Sequence, residues 1–100
     1  MALLEKEIQA QIIEYLKLKR IFFWRNNIGA GQLKGGRFVR FGVPGAPDLF
    51  VLKEGKLIGI EVKRAKTKLS PLQEEFGAEM QKNGATYIVA RDLDDVMAVL

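Results

Sequence analysis

The stretch PDLFVLKEGKLIGIEVKR, residues 47 to 64, constrains this chain more than any other. Two apolar runs flank Glu54-Gly55, and glycine accepts the positive φ of a tight turn, so the stretch reads as a β-hairpin with its tip there. If Lys53 pairs with Lys56, the register continues as Leu52 with Leu57, Phe50 with Gly59 and Asp48 with Glu61. Strand side chains alternate in direction. Leu49, Val51, Ile58, Ile60 and Val62 therefore share one face, suited to a helix-covered core, while Asp48, Glu61 and Lys63 share the other. Directly opposed residues hold their Cβ atoms about 4.5 to 5.5 Å apart, and two bare carboxylates at that distance repel. A cation gripped between them resolves the conflict. The competing account is a solvated face on which Lys63 neutralises the acids.

The rest of the composition narrows the chemistry. Among 100 residues there is no cysteine and no histidine, which removes thiolate nucleophiles, imidazole bases and the usual zinc ligands. Catalysis falls to carboxylates, lysine, hydroxyls and a hard, oxygen-seeking ion. The net charge is +4 but unevenly spread. No acidic residue lies between Glu14 and Asp48, where Lys17, Lys19, Arg20, Arg25, Lys34, Arg37 and Arg40 all fall, and a second basic run, Lys63, Arg64, Lys66 and Lys68, follows the hairpin. One such run is an ordinary solvated face; two runs flanking an acid pair point to a polyanion, with nucleic acid as the expected partner. Nothing at the N-terminus reads as a secretory signal, and no apolar run approaches the roughly 20 residues of a membrane span. The expectation is a cytoplasmic protein without membrane contact, with residues 1–100 forming a single domain.

Along the chain, residues 3 to 19 read as a helix with Leu4, Ile8, Ile12 and Leu16 on one stripe. Glu5 falls on that stripe, whereas Glu7 and Glu14 point away. Either a frayed first turn lets Glu5 reach solvent, or Glu5 leans over the sheet toward the acid pair. Residues 21 to 26, IFFWRN, read as a strand; Phe22, Phe23 and Trp24 are taken as core, with a dimer surface shared with residues 29 to 37 as the alternative. NIGAGQLKGGR follows as a glycine-rich basic loop before a short strand, FVRF. The loop lacks the Gly-Lys-Ser/Thr ending of a P-loop, so no nucleotide cofactor is expected. It is either a plain connection or an arm lying on a DNA backbone.

Ser70 and Pro71 open a second helix with Leu72, Phe76 and Met80 as its buried side and Asn83-Gly84 as its stop. Gln73 completes a capping box with Ser70, and a site role stands beside that reading. A strand over ATYIVARD follows, parallel to its sheet neighbour because a helix crosses over between them. A last short helix begins at Asp92 or Asp94 and ends in Val96, Val99 and Leu100.

APD at 46 to 48, EVK at 61 to 63, a helix-one glutamate and LSPLQ at 69 to 73 together resemble the PD-(D/E)XK nuclease superfamily, and within it the VRR-NUC domain family. The resemblance runs from Glu5 to the last strand. It implies an α/β, restriction-endonuclease-like fold with a mixed central β-sheet flanked by helices. It implies that Asp48 and Glu61 bind Mg²⁺ or Mn²⁺ together with the backbone carbonyl of Val62, that Glu5 is the helix-one acid, that Lys63 is the active-site lysine and that Gln73 belongs to the site. The activity implied is a deoxyribonuclease, an endonuclease leaving 5′-phosphates, acting on branched DNA such as four-way Holliday junctions as a homodimer. Arg25, Lys34, Arg37, Arg40, Lys66 and Lys68 are the expected backbone-holding cations. The rival expectations are a non-catalytic nucleic-acid-binding module and a nuclease subunit that needs a larger partner.

Overall fold

The computed structural model describes residues 2–26, 29–32 and 38–100. Lys34 and Arg37 lie outside the described residues. The elements follow in the order α1 (Glu5–Leu18), β1 (Phe23–Arg25), β2 (Gly29–Gln32), β3 (Phe38–Phe41), β4 (Leu49–Lys53), β5 (Lys56–Val62), α2 (Pro71–Lys82), β6 (Thr86–Ala90) and α3 (Leu93–Met97). Four strands form one mixed sheet in the order β1-β4-β5-β6, and β2 pairs with β3 in a separate antiparallel ribbon. A strand over Gly29–Gln32 departs from the loop expected of so glycine-rich a segment; the backbone ladder with Phe38–Phe41 forms it without needing side chains.

The hairpin has the register its turn dictates. Lys53 pairs with Lys56 and Phe50 with Gly59, and Glu54 and Gly55 both take positive φ, 52° and 79°, as a two-residue primed turn requires. β5 then runs parallel to β6 with α2 as the crossover between them. The architecture is the expected mixed sheet flanked by helices.

The two sheet faces differ. On one, Leu49, Val51, Ile58, Ile60, Val62, Ile88 and Ala90 meet Ile8, Ile12 and Leu16 of α1 and Val96 of α3 in one continuous buried cluster. Each such aliphatic side chain contributes roughly 1.5 to 3 kcal/mol by leaving water. Leu4, the first residue of the expected stripe, is instead 42% exposed, because it stands before the first helical turn as the N-cap. α3 ends at Met97, short of the expected Leu100; beyond it Val99 is 51% exposed while Leu100 packs on the core. Asp92 opens α3, its carboxylate accepting from the Asp95 N–H at 3.1 Å.

On the other face α2 packs chiefly over β6. It comes close because Gly77 lies against the Tyr87 ring and Met80 lies over Gly59; a Cβ on Gly77 would sit 2.7 Å from that ring. This close approach rotates the helix from its expected phase. Gln73, Phe76, Gly77 and Met80 face inward, and Leu72, expected on the buried side, is 54% exposed. β1 and the outer part of β4 lie beyond the reach of α2, which corrects a second expectation. Phe23 packs on the core, but its neighbours Phe22 and Trp24, expected in the core, are exposed on the uncovered face.

Candidate active site

Asp48 and Glu61 stand one step beyond Leu49 and Ile60, the last pair of the β4–β5 ladder, on the α2 face. At Asp48 the β4 chain leaves the ladder, and its side chain replaces the missing backbone acceptor: the Val62 N–H donates to Asp48 Oδ2 at 2.8 Å. On its other side the Asp48 carbonyl accepts from the Asn26 N–H at 2.9 Å, continuing the β1–β4 pairing by one residue. Asp48 is thus fixed by its main chain on one side and its carboxylate on the other. A residue in extended strand directs its N–H and C=O toward the same neighbouring strand, so the Val62 carbonyl also faces the Asp48 edge. The next N–H, that of Lys63, goes the other way, to the Ala90 carbonyl at 3.0 Å.

Glu61 is only 3% exposed, the one charged residue among those described that is fully buried. Its carboxyl is pushed from its ordinary 4.5 up to about 9, first by burial, then by the hydrogen bond and the negative charge of Asp48. Lys63 works in the opposite direction, and Glu5 adds to the rise. Glu61 therefore keeps its proton at neutral pH, beside the Asp48 carboxyl. Lys63, half-buried, follows Glu61 by two residues, just past the end of β5 at Val62.

The other expected site residues are placed as follows. Glu5 opens α1 and is exposed, yet its charge reaches Glu61. Glu7 serves the helix instead. Its Oε1 accepts from the Leu4 N–H at 2.9 Å and closes the first turn of α1. Gln73 caps α2, its Oε1 accepting from the Ser70 N–H at 2.9 Å and its own N–H donating to Ser70 Oγ at 3.2 Å. Arg25 pairs with Leu49 and so alternates to the face opposite the acids. Arg40 lies in β3. Lys66 and Lys68 are exposed on the loop after β5.

Three residues near the pair carried no signal in the sequence. Tyr87 shares the acid face, and its hydroxyl is pushed up to about 12, first by burial and then by the charges of Glu61 and Asp48. Its Oη and Asn26 Nδ2 are buried without a hydrogen-bond partner among the described residues. Arg91 pins the basic loop from behind, its Nη1 donating to the Arg64 carbonyl and, at 2.8 Å, to the Thr67 carbonyl.

The donor set suits a hard divalent cation. A buried carboxyl that holds its proton, a second carboxyl beside it and a carbonyl on the same edge offer oxygen ligands and an energetic reason to exchange that proton for a metal. Among the described residues no three acidic side chains converge on one point, so Glu5 stands off from the pair.

A solved structure described as a "VRR_NUC domain" matches 95% of this chain and 91% of its own, with a TM-score of 0.69 and 24% sequence identity. The chain has the VRR_NUC fold. No family model matches the sequence, and no curated protein matches it. The VRR_NUC fold accounts for the mixed sheet and its helices; at this identity, what the residues do must be argued from the residues themselves. Among the described residues no helix is long and apolar enough to cross a membrane.

Proposed function

We propose that this domain is a divalent-metal-dependent deoxyribonuclease that hydrolyses phosphodiester bonds within DNA. The observation that carries the reading is the buried Glu61 carboxyl set against the half-buried Asp48, with Lys63 two residues on. Such an arrangement costs stability in the absence of a partner, and a binding module would gain nothing from acids set where phosphates come. The nuclease nature of the domain is also what a likeness to a VRR_NUC domain suggests.

Asp48, Glu61 and the Val62 carbonyl would hold Mg²⁺ or Mn²⁺, which supplies polarisation of the scissile phosphate and acidification of the attacking water. The chain's own side chains do the rest. Lys63 presents its ammonium on the metal face, where it orients the water or meets the charge that gathers on the phosphoryl oxygens. Glu5 acts on the pair through its charge and through water. Lys66 and Lys68, on the loop that Arg91 holds, take the DNA backbone beside the site, whereas Arg25, on the opposite face, takes no part in that grip. Backbone contacts read shape rather than sequence. We therefore assign branched DNA, four-way junctions included, as the preferred substrate, and a homodimer as the form that cuts two strands.

The test is cleavage of labelled linear, single-stranded, flapped and four-way-junction DNA with Mg²⁺, Mn²⁺ or EDTA, wild type beside Lys63→Ala. Cutting that needs both the ion and Lys63 is expected. A Lys63→Ala protein that cuts at the wild-type rate would remove the assigned chemistry, and binding without cutting on every substrate would favour a binding module or a subunit awaiting its partner. Sedimentation showing only monomer at micromolar concentration, with and without DNA, would remove the homodimer.

A further inference from the structure

Beside the acid pair, on the same sheet face, lie three aromatic rings that the core does not use. Trp24 pairs with Phe50 in the β1–β4 ladder, and their rings stack with centroids 5.4 Å apart and planes 25° from parallel. Phe22 follows at 6.0 Å from Trp24. Phe22 is 66% and Trp24 42% exposed. In the same ladder the next pair on this face is Asn26 with Asp48, so the aromatic row stands two residues along the strand from the acids, roughly 7 Å. Exposed aromatic side chains are costly to leave in water, and an array of them at the rim of a site calls for an occupant.

We propose that Phe22, Trp24 and Phe50 form a stacking platform for an unpaired nucleobase of the DNA strand whose phosphate lies at Asp48 and Glu61. The inference rests on the nuclease reading above and deepens it. A base offers every ring a π-face regardless of sequence, which suits a site that reads shape. The platform's offset from the acids is within the reach of a single nucleotide. Charge favours the same occupant, because from Tyr15 to Pro47 the chain has no acidic residue to repel a phosphate backbone. A second copy of the chain fits the patch less well. β1 is only three residues long and carries Arg25, so two copies joined edge to edge would have little ladder to build and like charges to oppose. The platform also gives a physical basis for preferring branched or single-stranded DNA, since only there is a base free to stack.

Trp24 is the only tryptophan, so its fluorescence reports on the platform directly. The experiment titrates wild-type protein in EDTA with a short oligothymidylate and with an abasic oligonucleotide of equal phosphate count. Quenching by the thymidylate and not by the abasic strand is expected. In parallel anisotropy titrations, Trp24→Leu and Phe50→Leu, each checked for fold by circular dichroism, should weaken thymidylate binding by roughly 5- to 150-fold and leave abasic binding unchanged. Equal response to both strands, or no loss in either variant, would overturn the platform. A fluorescence change that depends on protein concentration without DNA would overturn it in favour of a contact between copies. No metal and no cleavage enter this assay. Failure of the nuclease reading shows in the Lys63→Ala cleavage test, and failure of the platform shows here.

Discussion

The two faces of the central sheet are built from the same strands and have opposite characters. The face under α1 and α3 holds an unbroken aliphatic cluster from Ile8 to Val96. The face under α2 holds a buried glutamate, a buried tyrosine hydroxyl without a partner among the described residues, glycines where bulk would be expected and a row of exposed aromatic rings. Period-two alternation lets one hairpin serve both, so stability and chemistry are separated by the thickness of a sheet rather than by distance along the chain. The lesson is that the chemical face can carry strain and orphaned polar groups because the other face does the folding.

The sharpest way to break this comparison is to change nearby residues of the β5 chain that point opposite ways. Ile60→Ala should cost roughly 2 to 5 kcal/mol, visible in urea unfolding, because it opens a cavity in the aliphatic cluster. Lys63→Ala, on the acid face, should leave unfolding nearly unchanged while lowering cleavage by roughly 10²- to 10³-fold or more. Similar losses of stability in both variants would show that the faces are not separate.

A smaller effect appears in the pH dependence of stability. Glu61 keeps a proton when folded that the unfolded chain releases, because its carboxyl moves from 4.5 to about 9 on folding. The folded state then binds more protons across that window, and metal-free stability must fall as pH rises from 4.5 toward about 9. Thermal unfolding across this range should show the slope in wild type and its loss in Glu61→Gln, which needs no proton to stay neutral. Saturating Mg²⁺ or Mn²⁺ should flatten the wild-type slope as well. A flat metal-free wild type would contradict the proton held by Glu61.

The smallest effect concerns the loop between the faces. Arg91→Ala removes the two hydrogen bonds that pin residues 64 to 67, while the Arg91 N–H keeps its bond to Asp95. DNA affinity should drop only a few-fold, with a shallower salt dependence as Lys66 and Lys68 lose their fixed position. Unchanged affinity and salt slope would mean that the loop needs no support.

The acid pair is legible in the sequence because every step toward it is local. A two-residue turn sets the register, alternation sets the face, and Asp48 meets Glu61 without reference to the rest of the chain. The capping of α2 by Ser70 and Gln73 is legible for the same reason. Tyr87 is not, since a parallel strand reached through a helix has no turn to set its offset, and the pairing of Gly59 with Tyr87 emerges only when α2 and β6 dock. The outward turn of Leu72 has the same origin, in the fit of Gly77 against that tyrosine ring. Phe22 and Trp24 read as core because aromatic residues in a strand usually are; their exposure depends on how far α2 extends over the sheet.

By itself the sequence determined the hairpin, its register, the acid-bearing face and the apolar stripe of α1, all consequences of turn chemistry and short periodicities acting between near neighbours. Only the tertiary structure decided how deeply Glu61 is buried, which polar groups are left without partners and which aromatic rings face water, because those depend on surfaces brought together from distant parts of the chain.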